Sequence, residues 1–100
     1  MDGQAVISHE VLAAYAADAA RAVEGVYELV GGPRRHQCVR VAEDNGAMSV
    51  ELHLAVDWGA LAPDVAAEVQ RRVTEYLRRT ARLSSVIVDV VVTGVAPDGG

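Results

Sequence analysis

The chain has no lysine and no phenylalanine, and cysteine occurs once, at Cys38. The absence of lysine excludes Schiff-base chemistry and the lysine of a phosphate-binding P-loop. All nine basic residues are arginine, against 14 acids, for a net charge of −5. General nucleic-acid binders usually carry a basic excess, so no nucleic-acid partner is expected. A single cysteine permits no internal disulfide and no thiolate metal cluster, which fits a reducing, cytoplasmic setting. No apolar run approaches the ~20 residues of a membrane span, and the polar start Met1-Asp2-Gly3-Gln4 does not read as a signal peptide. Direct membrane insertion is not expected; work at a membrane would require another molecule to hold the protein there.

Aromatics are also scarce, one Trp and three Tyr, although 51% of residues are hydrophobic. The core must therefore be built from Val, Leu, Ile and Ala. A 100-residue chain reads as one domain, and a domain of that size buries roughly 60–65% of its unfolded surface. Each fully buried aliphatic side chain contributes roughly 1.5–3 kcal/mol, Ala much less. Association would supplement so small a core.

After a short β-like stretch at Ala5-Val6-Ile7, Ser8 is a good N-cap for a helix over about His9 to Val23. Val11 or Leu12, Tyr15, Ala16, Ala19 and Val23 mark its buried stripe, and Gly25 reads as its C-cap glycine. Val26 to Val30 leads out into a basic loop, Gly31-Gly32-Pro33-Arg34-Arg35-His36. Cys38 to Glu43 alternates with Val39 and Val41 inward, and Asp44-Asn45-Gly46 is a tight-turn signal. The next strand puts Val50, Leu52, Leu54 and Val56 on one face, with Glu51, His53 and Asp57 on the other.

Pro63 and Asp64 open a second helix, whose stripe Val65, Val69, Val73 and Leu77 repeats every four residues. Glu68–Arg72 and Glu75–Arg79 are acid-first pairs across its outer face. Val86 to Val95 is a final strand, with Val86, Val88, Val90 and Val92 on one side and Ile87, Asp89, Val91, Thr93 and Val95 on the other. The order (β)αββαβ predicts an α+β two-layer sandwich, two helices on one face of a three- to four-stranded, mainly antiparallel sheet. Residues 1–96 form the domain in this reading, and 97–100 a short polar tail.

A search for chemistry returns little. His9, His36 and His53 fall on a helix start, a loop and a strand, and His36-Gln37-Cys38 offers two ligands where zinc needs three or four. Asp57 and Asp89 interrupt apolar strands and read as outer-face or strand-end residues. There is no G-x-S-x-G elbow. RNA-binding sheets of this strand order stack bases on exposed aromatics, which these strands lack. No enzyme activity, metal or cofactor is expected.

Several stretches resemble the bacterial alkaline shock protein family, also called envelope stress response proteins. They are I-S-x-E-V-L at Ile7 to Leu12, the run from Ala17 to Leu29, V-D-W-G at Val56 to Gly59, the helix from Pro63 to Val73, and V-D-V-V-V-T-G-V at Val88 to Val95. The chain departs from the family at Thr80-Ala81-Arg82-Leu83, where a Thr-Gly-Leu is usual and the C-cap glycine is lost. It also lacks the long charged tails of many members. The resemblance implies a non-enzymatic, cytoplasmic protein that forms homo-oligomers and gathers at the inner face of the membrane. It would do so through a membrane-anchored partner of the same family, in envelope homeostasis or stress.

The doubly apolar last strand makes Ile87, Val91 and Val95 the candidate association residues, with Arg34 and Arg35 in the loop as a further contact. The competing reading is a ferredoxin-like regulatory module binding a small ligand. Its usual glycine-rich strand–helix loop is poorly matched by Gly25 and Gly31-Gly32.

Overall fold

The computed structural model describes residues 8–31 and 38–97. The stretch expected at Ala5-Val6-Ile7 lies outside them, as do Arg34 and Arg35. The elements run α1 (His9–Arg21), β1 (Val26–Leu29), β2 (Val39–Asp44), β3 (Ala47–Val56), α2 (Ala62–Thr80) and β4 (Val86–Val95). Two helices on one face of a mainly antiparallel sheet is the architecture expected from the sequence.

Ser8 caps α1 as its position predicts, its hydroxyl accepting the Val11 N–H at 3.1 Å. Leu12, Ala16 and Ala20 are fully buried, with Val23 just beyond the helix. Val11, one of the two alternatives for the stripe, is exposed. The helix stops at Arg21 and its cap is Ala22, so Gly25 serves a different purpose. Its φ is +102°, and its carbonyl accepts the Asp57 N–H at 2.8 Å. A Cβ there would sit 2.6 Å from a methyl carbon of Val65. Glycine is required because the chain passes against α2 in a left-handed conformation.

β3 is the organising strand. On one side it pairs antiparallel with β1 through Leu54–Val56 and with β2 through Ala47–Leu52. The gap is bridged by Val30 N–H to the His53 carbonyl (2.8 Å) and His53 N–H to the Cys38 carbonyl (3.0 Å). β1 and β2 are thus two halves of one interrupted strand. The Val26–Val30 stretch read as a mere exit from α1 is its first half. On the other side β3 pairs parallel with β4, the two joined through α2 as parallel neighbours require. Asn45 (φ 53°) and Gly46 (φ 81°) form the two-residue β2–β3 turn with both central residues at positive φ, as Asn-Gly predicts.

Val50, Leu52, Leu54 and Val56 are all 0–1% exposed and lie under Leu12, Ala16 and Ala20 of α1 and the Val65–Leu77 stripe of α2. The Tyr15 and Tyr76 rings meet edge to face between the helices, their centroids 6.0 Å apart. Among the described residues no polar or charged side chain is buried. The core is an aliphatic sandwich, as the missing phenylalanines require.

α2 ends at Thr80 with Ala81 as its cap, and Arg82 takes φ +58°, the left-handed position usually given to glycine. The left-handed conformation is thus adopted here without a glycine. Holding a side chain in this region costs about 1–2 kcal/mol, partly offset because glycine loses more freedom on folding. Arg82→Gly is therefore expected to raise stability by about 0.5–1 kcal/mol in urea unfolding. An unchanged or lower midpoint would show that the Arg82 side chain contributes contacts outweighing its strain.

Candidate association surface

The side chains turned away from the helices form rows across the sheet. Ala42, Ser49 and Ile87 make one row, Arg40, Glu51 and Asp89 the next, and Val91 lies beside His53. The His53 ring and Glu51 carboxylate, two residues apart on the same strand face, lie 2.5 Å apart. This charged row crosses the middle of the face, and Ile87 (55% exposed) and Val91 (38%) flank it along β4. Among the described residues, no three His, Cys, Asp or Glu side chains are grouped to hold a metal ion.

Val95 lies further along β4, past a register shift. Val92 pairs with Leu54, but the register then shifts, Gly94 meets Ala55 and Val95 meets Val56. The Ala96 N–H bonds the Val56 carbonyl at 2.8 Å on the new register. One extra β4 residue is absorbed there. Exposure still alternates along β4 through this point, with Ile87, Asp89, Val91, Thr93 and Val95 the exposed positions and Val95 at 55%. The three candidate association residues Ile87, Val91 and Val95 are all exposed, with the register shift falling between Val91 and Val95.

β4 is also an edge. The Met48 N–H bonds the Ser85 carbonyl, so alternate peptide groups from that point face β3 and those between face outward. One outward acceptor, the Val88 carbonyl, is met by the Gln70 side-chain amide of α2 at 2.8 Å. No strand pairs with this edge among the described residues.

On the outer face of α2, Glu68 accepts from Arg71 at 2.6 Å and from Arg72 at 2.8 Å. These guanidinium groups, Arg71 first, hold its carboxyl down at about 2, and Glu68 in turn raises Arg71. Glu75 lies 3.7 Å from Arg71, a base-first pairing in place of the expected one with Arg79. Arg71 and Arg72 are thereby engaged within their own helix.

Sequence reasoning missed a second exposed set. Tyr27 (51%) in β1, and Trp58 (62%) and Leu61 (68%) on the β3–α2 connection, are exposed. The Trp58-Gly59 pair signals a strand end. Periodicity, however, does not tell whether an aromatic at a turn folds back on the core or projects.

The described fold is similar to solved structures of the MamM CTD. A MamM-CTD fragment matches at 17% identity and TM-score 0.55, covering 86% of this chain and 100% of that one. A variant in its manganese form gives 17% and 0.54 with the same coverage, and another variant 20% and 0.54. Identities this low establish a shared fold. A comparison with curated protein sequences gave no match. No helix among the described residues is long and apolar enough to cross a membrane. The profile of the alkaline shock protein 23 family, described by a cell envelope-related function, matches residues 1–97. The chain belongs to that family.

Proposed function

We propose that this chain is a non-enzymatic interaction module of the cell envelope stress response, acting by self-association and by recruitment to a membrane-anchored partner. The observation that carries the reading is the exposed pair Ile87 and Val91 beside the strandless outer edge of β4. A long apolar edge strand is a template for pairing unless it is covered or charged. Asp89 is the one charged side chain along β4, and Gln70 meets one of its outward carbonyls. Pairing of this margin with a second copy would extend the sheet and remove both side chains from water.

Light scattering over a concentration series tests this. The wild type is expected to show a concentration-dependent oligomer, and Ile87→Glu with Val91→Glu to weaken it by at least about tenfold, as charges in an apolar contact do. Both positions are surface positions of the monomer, so circular dichroism of the variant should be unchanged. A wild type that stays monomeric at high concentration overturns the reading.

A further inference from the structure

We propose that Gln70 is a latch on the outer edge of β4, holding a backbone acceptor that a second copy needs for strand pairing. The proposal rests on the association reading above and names a control on that same edge. Self-association has to displace the Gln70 amide first.

The position follows from helix geometry. Val65, Val69, Val73 and Leu77 of α2 are buried against the sheet. Gln70 is one residue beyond Val69, about 100° round the helix, and it shares a flank with Ala67 and Thr74 at three- and four-residue spacing. The contact shows that this flank meets β4, because the Gln70 Nε2 donates to the Val88 carbonyl at 2.8 Å.

That carbonyl lies where an added strand would bond. The Met48 N–H takes the Ser85 carbonyl, so along the parallel ladder the peptide groups of Ile87, Asp89 and Val91 face β3. Those of Val86, Val88, Val90 and Val92 face outward, and Val88 sits within this row, next to Ile87. A strand added here would lie about 4.8 Å away and bring its N–H groups to about 2.9 Å from the outward carbonyls. The Gln70 amide already stands at that distance from the Val88 carbonyl, so the incoming N–H competes with it for one acceptor.

The guard is of a kind that can be lifted. Edge strands are commonly protected by lysine, proline or inward charge. β4 has neither lysine nor proline, and Asp89 is its one charged residue. Val88 is only 2% exposed, so its carbonyl needs a protein partner in the monomer, which Gln70 supplies. Gln70 itself is exposed and lines an open groove with Ala67, Arg71, Thr74 and Arg78. Its amide can therefore turn away without leaving a cavity, while the incoming strand takes over the carbonyl. One neutral hydrogen bond per protomer is broken, two in a symmetric pair.

Sedimentation over a concentration series, comparing the wild type with Gln70→Ala, tests the latch. The substitution removes the donor at an exposed helix position, and alanine is the best helix former, so circular dichroism should be unchanged. The dissociation constant of the variant is expected to fall by about tenfold, the effect of two neutral hydrogen bonds that no longer have to be broken. The amide is uncharged, so the gain should persist in about 0.5 M salt. A gain that salt abolishes would belong to the neighbouring Arg71 and overturns the latch. In the wild type, heteronuclear NMR should show the Gln70 side-chain amide signals moving towards their free positions as the protein associates. Signals that stay at their bonded positions in the oligomer also overturn it. A self-associating wild type with unchanged or weaker association in Gln70→Ala overturns the latch alone. Two proteins that both remain monomeric overturn the association reading, and the latch with it.

Discussion

Leu54→Ala should cost about 2–5 kcal/mol, a large part of the roughly 5–15 kcal/mol that holds a domain together. Leu54 is fully buried at the centre of the sheet, paired with Leu29 of β1 on one side and Val92 of β4 on the other. Its side chain points into the layer where both helices pack. Truncation removes the transfer free energy of the missing carbons and leaves a cavity. The flanking β1 and β4 strands are held in register by backbone hydrogen bonds and cannot close it fully. The expected fall in Tm is at least about 8 °C, at about 4–8 °C per kcal/mol for a domain of this size. Ile87→Ala on the neighbouring strand is the control. Its side chain is more than half exposed, so the monomer should change by no more than about 0.5 kcal/mol. Equal losses from the two variants would mean that the helix face of the sheet has been misassigned.

The elements whose side chains keep one period over several turns were legible. α2 repeats Val65, Val69, Val73 and Leu77 at helical spacing, β3 alternates from Val50 to Val56, and both patterns map onto buried faces. β1 was not legible, because four residues containing a register shift give too short a run to show a period. Its continuity with β2 was hidden for another reason. The two halves are separated in sequence by residues 30–38 and are joined through β3, a non-local relation that no local pattern records. The register shift in β4 did carry a signal. Gly94 inside a strand pattern commonly marks a bulge, and the run of alternating valines masked it.

Gly25→Ala should be destabilising by about 2–4 kcal/mol, although it adds one methyl group near the surface. Two penalties combine. The residue holds φ +102°, where an L side chain is strained. The new Cβ would also stand 2.6 Å from a Val65 methyl, in a helix position that is itself buried. Relief by backbone movement is limited because the Gly25 carbonyl is bonded to the Asp57 N–H. The penalties can be separated by a double-mutant cycle with Val65→Ala, which removes the clashing methyls and leaves the dihedral unchanged. The double variant should be less destabilised than the sum of the two single variants, by the part of the cost that is steric. Additive losses would leave dihedral strain as the whole effect and would mean that α2 does not press on this turn. The turn joins α1 to β1 and carries Glu24 and Tyr27 on its two sides. A Gly25→Ala variant that still folds should therefore also disturb the neighbouring Asp57-Trp58 segment, visible as a change in the Trp58 emission maximum.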